Sequence, residues 1–207
     1  STGDNGDICL LKLNPQGNFI WIRRIGSGGT QKGYDLSIDA QDNVFVTGNF
    51  MGTIDFDPGA GVYNLTSGGG YDIFFLKLDS SGKFQWVKQI SGLTNSTSNA
   101  IKVCPSGAIY LSGKYTSLTD FNPGPGVYNL NTTTYALFIA RYNNQGDIIW
   151  ARSVADGGYG LVSGLSIDSS ENVWVTGGFK YSTDFDPLAS VYPLSSAGDL
   201  DIFFTEA

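Results

Sequence analysis

The stretch "DIFFLKLDSSGKFQW" (72–86) is an almost unbroken apolar run, a turn marked by Gly82, and a second run in which Phe84 and Trp86 flank polar Gln85. The first run suits a strand covered on both faces. The second suits a strand nearer the outside, with alternating side chains. The same pattern stands at 7–21 as "DICLLKLNPQGNFIW" and at 136–150 as "ALFIARYNNQGDIIW", and it starts again as "DIFF" at 201. Trp21, Trp86 and Trp150 are thus spaced by 65 and then 64 residues, and the same spacing relates Gly48, Gly113 and Gly177, and Asp55, Asp120 and Asp184. Residues 1–207 read as one domain of repeats 7–71, 72–135 and 136–200, with a fourth repeat beginning at 201–207.

Each repeat continues with a second pair of strands. "DLSIDA" and "NVFVTGNF", joined at Gln41 and Asp42, return as "NAIKVC" with "AIYLSGKY" and as "GLSIDS" with "NVWVTGGF". These are hairpins of β-branched and aromatic residues, and no useful window carries a 3.6-residue apolar period. The fold is therefore predicted to be all-β. Four principal strands in a unit of this length, joined up and down, describe a blade of a β-propeller. A blade cannot bury both faces alone and must stack on neighbours. Three blades fall short of the roughly 4 to 8 of a closed propeller, so the chain is read as an open segment, completed by a longer polypeptide or by further copies. A β-solenoid is the alternative, although its rungs would be shorter and its loops less elaborate.

Composition narrows the function. The chain has 207 residues, 41% hydrophobic and only 15% charged, which gives ample core material and argues against disorder. A net charge of -7 repels a phosphate backbone, so nucleic acid is set aside as a partner. No run approaches the roughly 18 apolar residues of a membrane span, and "STGDNGD" lacks the basic and apolar regions of a signal peptide. Cys9 and Cys104 are too few and too far apart for a disulfide framework or a zinc site, and read as unpaired small apolar residues. The absence of histidine removes the usual general base and the commonest metal ligand.

"DIFFLKLDSSGKFQW", followed by "IDAQDNVFVTGNF" and an Asp-Phe step, resembles the bacterial β-propeller repeat often called SBBP, over essentially all of 7–204. Its units carry a D-hydrophobic-K-L run, a D-x-x-G-N-V-Y-V-T-G run and a short Asp-Phe-Pro segment. This chain departs by having "DFDPG" or "DFNPG" in the last segment, and by Asp42 where the hairpin glycine is expected. The resemblance implies secreted or cell-surface repeat proteins of bacteria with adhesive or structural roles, and it carries over no catalytic residue.

A single axial active site needs different residues on different blades, whereas architecture needs the same residue on each. Trp21, Trp86 and Trp150 accordingly read as packing anchors, and Trp174, at the position of Phe45 and Tyr110, as a generic strand aromatic. Gly48, Gly113 and Gly177 read as a bulge or a close backbone approach. Asp57-Pro58-Gly59 and Asn122-Pro123-Gly124 predict type II turns, and Asp186-Pro187-Leu188, lacking the glycine, a type I turn. Asp55, Asp120 and Asp184 have no such turn role. An EF-hand is ruled out because Ala60 and Thr66 occupy its sixth and twelfth positions. Two readings remain for Asp55, Asp57, Asp120, Asn122, Asp184 and Asp186: a looser Ca2+ site, or carboxylates that accept backbone N–H bonds at the turn. Asn64, Asn95 and Asn131 begin N-glycosylation sequons, a weak signal, and Gly68 to Gly70 is a loop without the Lys-Ser/Thr of a phosphate cradle.

The expected function is a non-enzymatic structural or adhesive module, extracellular or at the cell surface, without a cofactor. Its partners would be a protein, a surface glycan or further copies of the repeat. The alternative is a carboxylate-based glycosidase or lyase, which would need a pair of acids on different blades roughly 5 to 10 Å apart; no such blade-specific pair stands out.

Overall fold

A computed structural model describes residues 6–26, 28–155, 159–188 and 191–206; residues 1–5 of the polar opening stretch and residue 207 of the fourth repeat lie outside them. The described chain is all-β, with antiparallel strands. In chain order they are β1 (Ile8–Leu13), β2 (Phe19–Ile25), β3 (Thr30–Ile38), β4 (Val44–Met51), β5 (Thr53–Asp55), β6 (Asn64–Thr66), β7 (Asp72–Leu78), β8 (Phe84–Gly92), β9 (Thr97–Val103) and β10 (Ile109–Tyr115). There follow β11 (Thr119–Asp120), β12 (Asn129–Leu130), β13 (Ala136–Tyr142), β14 (Ile148–Val154), β15 (Tyr159–Ile167), β16 (Val173–Lys180), β17 (Ser182–Asp184), β18 (Pro193–Ser195) and β19 (Asp201–Glu206).

The sheets run across the boundaries of the sequence repeats. The first sheet is β1-β2, the second has the order β3-β4-β7-β8 and is extended beyond β8 by the short β11-β12 hairpin, the third is β9-β10-β13-β14, and the fourth β15-β16-β19. Each complete sheet thus takes its first hairpin from one repeat and its second from the next. The cause lies in β7, of which every residue but Lys77 is buried. A strand covered this fully belongs in the middle of a sheet, and β7 pairs with β4 from Val44↔Leu78 to Phe50↔Asp72 on one edge and with β8 on the other. The segment between β4 and β7 leaves the sheet and folds into its own small hairpin, β5-β6.

Three apolar clusters lie between successive sheets. Ile8 and Leu10 pack with Phe74, Leu76 and Leu78; Phe75 and Ile90 with Phe138 and Tyr142; Leu137 and Ile139 with Phe179 and Phe203. The middle β-strands bury both faces, as the apolar run predicts. Gly48, Gly113 and Gly177 sit where the register of the inner hairpin slips, opposite Gly33, Ser98 and Val162. A Cβ at any of the three would overlap the carbonyl oxygen of Lys32, Thr97 or Leu161, so bulge and close approach coincide. Trp86 is packed between Phe45 and Phe75, at ring distances of 6.0 and 5.7 Å, as an anchor would be.

Five of the six equivalent hairpin turns share one chemistry, the exception being the turn that starts at Cys104. Asn14, Asp39, Asp79, Asn143 and Asp168 each accept, on Oδ1, the N–H groups two and four residues on. The residue three places on has a left-handed backbone, and it is glycine at 17, 82 and 146 but Asp42 (φ 61°) and Glu171 (φ 64°) elsewhere. The glycine missing at Asp42 is therefore a strained exchange within an otherwise intact turn. Cys9 is exposed and Cys104 buried, and both are free thiols.

Candidate functional site

The Asp-Phe-Asx-Pro loops are the most strongly repeated feature, and each delivers one phenylalanine to the core. Phe56 lies 5.2 Å from Phe50 and 4.8 Å from Phe74. Phe121 lies 5.6 Å from Tyr115 and 4.9 Å from Phe138, and Phe185 lies 5.2 Å from Phe179 and 4.8 Å from Phe203. All three are buried. Such aromatic pairs contribute about 0.5–1.5 kcal/mol beyond the area they bury.

The aspartate beside each phenylalanine ties the loop. Asp55 Oδ1 accepts the N–H of Asp57 (3.1 Å) and of Tyr63 (2.8 Å). Asp120 does the same for Asn122 and Tyr128 (2.9 and 2.8 Å), and Asp184 for Asp186 and Tyr192 (3.0 and 2.8 Å). One oxygen thus joins both ends of a nine-residue loop, which is why this position is aspartate in every copy. The second acidic positions form Asx turns: Asp57, Asn122 and Asp186 accept the N–H of Gly59, Gly124 and Leu188 at 2.7, 2.9 and 2.8 Å.

This corrects the type II turns expected at 57–59 and 122–124. Neither Gly59 nor Gly124 has the positive φ such a turn requires. The side chain of Asp57 or Asn122 accepts the N–H two residues on, in place of a backbone carbonyl accepting the one three residues on, and Leu188 fills the third position of the last copy without strain. At Gly61 and Gly126 a Cβ would meet the side-chain ends of Asp57 and Asn122, and the third copy has Ser190 at this position, so glycine is favoured there without being required. Among the described residues, no three His, Cys, Asp or Glu side chains gather to hold a metal ion.

One cluster of titratable groups is specific to a single junction. Glu171, in the β15–β16 turn of the fourth sheet, reaches back to the third. It accepts bonds from the Ser106 hydroxyl, from the Tyr110 hydroxyl (3.2 Å) and from Arg141 (2.5 Å), whose guanidinium also lies 5.6 Å from the Tyr110 ring. The Ser106 hydrogen bond, followed by the charge of Arg141, holds the Glu171 carboxyl below its ordinary range despite some desolvation. Burial pushes the Tyr110 phenol up to about 12. Sequence reasoning missed this cluster, although Glu171 is one of two glutamates in the chain and replaces the turn glycine of the preceding copy, Gly107.

The loops also present a repeated exposed side chain. Val62, Val127 and Val191 are 72%, 70% and 71% exposed, so the fold gives none of them a packing role. Asn64 and Asn95 of the sequons are exposed.

No protein-family model matches the chain. It is 22% identical over 200 residues to an uncharacterised WD repeat-containing protein of Acanthamoeba polyphaga mimivirus, an alignment covering 83% of this chain and 14% of that protein. It is 25% identical over 108 residues to the regulatory protein FlaEY of Caulobacter vibrioides, covering 52% of this chain and 11% of FlaEY. The chain is a β-rich repeat protein, distantly homologous to both. It spans well under a fifth of either relative's length. The narrower SBBP assignment finds no family match.

Proposed function

We propose that the chain is a segment of an SBBP-like β-propeller that acts without catalysis as an adhesive or structural module outside the cell or at a bacterial surface. Stacked four-stranded antiparallel sheets and the distant WD-repeat relationship support the propeller. Leu11 and Leu13 are 56% and 47% exposed at the positions where Leu76 and Leu78 are fully buried. That contrast supports a further sheet of the same kind, from the same polypeptide or another copy, covering them.

The repeated valine carries the adhesive half of the reading. A residue that recurs for packing is covered, yet Val62, Val127 and Val191 are equally bare in all three loops. A row of identical apolar contacts, one per sheet, suits a protein or glycan surface engaged at several points. A protein and glycan array is the test, read with the native chain and with Val62, Val127 and Val191 all changed to serine. Specific binding that the triple variant loses at unchanged melting temperature is the expected result. Binding indifferent to the three valines, or none to either class, would overturn the adhesive reading and leave a structural module.

A further inference from the structure

The junction between the first and second sheets differs in charge from the one that follows it. At the second junction Lys88 of β8 pairs with Asp147 of the next sheet's turn at 3.7 Å; Gln89, on the opposite face of β8, bonds to Asp72 and the Thr66 carbonyl at 2.7 and 2.9 Å. The residues one repeat earlier are Arg23 and Lys83, at the first junction, and Arg24 in place of Gln89. Arg23 and Lys83 thus bring two cations to the positions where the second junction has an ion pair, and Arg24 takes the place of the glutamine on the opposite face of its strand. Among the described residues neither Arg23 nor Lys83 makes an ion pair, and Arg24 reaches only Asp7, at 3.5 Å, with 67% of its side chain exposed.

Arg23, Arg24 and Lys83 line a groove of about 620 Å³, within the size range of ligand pockets. Its opposite wall is the loop of Asp55 and Asp57, and Phe84 contributes an aromatic ring backed by Tyr63 at 5.1 Å. Arg23 is held in place by bonds to the carbonyls of Gly82 (3.1 Å), Ser81 (2.7 Å) and Ile22 (2.9 Å). Those three bonds leave two of its five N–H donors uncommitted. In the loop wall, the backbone N–H bonds fall on Oδ1 of Asp55 and Asp57, so each carboxylate keeps acceptor capacity.

We infer that this groove binds an acidic saccharide. Two cations without an ion pair among the described residues, Arg23 and Lys83, set together in a chain with net charge -7 call for an anionic group. The facing carboxylates would repel a purely anionic ligand but accept hydrogen bonds from hydroxyls, so the ligand carries both. The ring of Phe84 suits the C–H face of a sugar. A uronic acid sugar unites carboxylate, hydroxyls and apolar face in one residue.

The assignment rests on the adhesive reading and narrows its ligand. Titration calorimetry with trigalacturonate is the test, with maltotriose as neutral control and triglutamate as anionic peptide control. Lys83→Asp supplies the charge arrangement of the second junction on an exposed side chain, so the fold is retained. It is expected to weaken trigalacturonate binding at least about tenfold, through loss of one charged hydrogen-bond donor and pairing of Arg23. No binding of trigalacturonate, equal binding of either control, or a Lys83→Asp variant that binds as well as the native chain would overturn the assignment. In each of those cases, array binding that depends on the valine row would still stand, which separates failure of the groove from failure of adhesion.

Discussion

The second and third junctions between sheets use the same sequence positions and close them differently. At the second, Phe75 meets Tyr142 at 4.7 Å within a large apolar cluster, and the rim carries separate pairs: Lys88 with Asp147 at 3.7 Å, and Lys77 with Asp39 at 3.9 Å and with Asn144 at 2.9 Å, its ammonium 4.9 Å from the Phe45 ring. At the third, Ile139 stands for Phe75, Tyr110 for Phe45 and Arg141 for Lys77, and Glu171 adds a carboxylate that ties turn, strand and guanidinium together. A repeat protein can thus hold its interface geometry while exchanging aromatic packing for a charged clasp. The exchange predicts that the two junctions fail under different conditions.

Removing the aromatic centre of the second junction should have the largest effect. Phe75→Ala is expected to lower the unfolding free energy by about 3–5 kcal/mol, measured by urea titration, because a fully buried ring leaves a cavity. Glu171→Gln should cost less, about 1–2 kcal/mol, since its charged bonds are roughly one-third exposed and screened by water. Lys77→Gln at the matching position should cost a comparable amount, about 1–2 kcal/mol, because its ion pair with Asp39 is largely buried. A Glu171→Gln cost as large as that of Phe75→Ala would erase the contrast.

pH separates the junctions further. The Glu171 carboxyl sits below its ordinary 4.5, so its contribution is complete above that value and disappears as pH falls towards the lowered one. The melting-temperature gap between native protein and Glu171→Gln should therefore narrow from pH 6 to about pH 3.5. At the alkaline end the Tyr110 phenol is raised from 10.0 to about 12, so its contribution is present below pH 10 and fades across that interval. Tyr110→Phe should remove part of the alkaline loss, whereas Phe45, its counterpart at the second junction, has no proton to lose.

The smallest effects test the turns themselves. Asp42 and Glu171 both occupy the left-handed position that Gly107 fills in the middle copy. Asp42→Gly should raise stability by up to about 1 kcal/mol by relieving the backbone, whereas Glu171→Gly relieves the same strain but breaks the clasp and should lower it. Chelator treatment should shift the melting temperature by less than about 1 °C, because Asp55, Asp120 and Asp184 are already engaged by backbone N–H groups. A larger shift on chelation, reversed by added calcium, would revive the ion site.

Much of the fold could be read in advance, because period and apolar pattern are local properties. The doubly buried strand at 72–78 and the bulge glycines at 48, 113 and 177 follow from them. The phase of the sheets does not, since a periodic sequence is indifferent to where its unit begins, and only the pairing of β4 with β7 decides it. The turn at Asp57 departs from expectation because Pro-Gly suits both a type II turn, whose carbonyl accepts the N–H three residues on, and an Asx turn, whose side chain accepts the N–H two residues on. The Glu171 clasp joins residues from two repeats and three strands or turns, and no short motif spells it out. Lys83 opposite Arg23 was visible as sequence, yet it acquired meaning only when Lys88 and Asp147 were seen to pair.

The β11 strand, from the loop of the third sheet, pairs with β8 of the second, Thr119 with Gly92 and Asp120 with Ser91. Together with sheets that straddle the repeat boundary, this lays the units like bricks in running bond, each course overlapping the joint below. Duplicating or deleting one whole unit anywhere along such a gene leaves every half-sheet facing an equivalent half, so the array can lengthen or shorten without inventing a new interface. The same overlap gives a nicking protease no clean seam: a cut in one loop still leaves the flanking sheets laced through their shared strands.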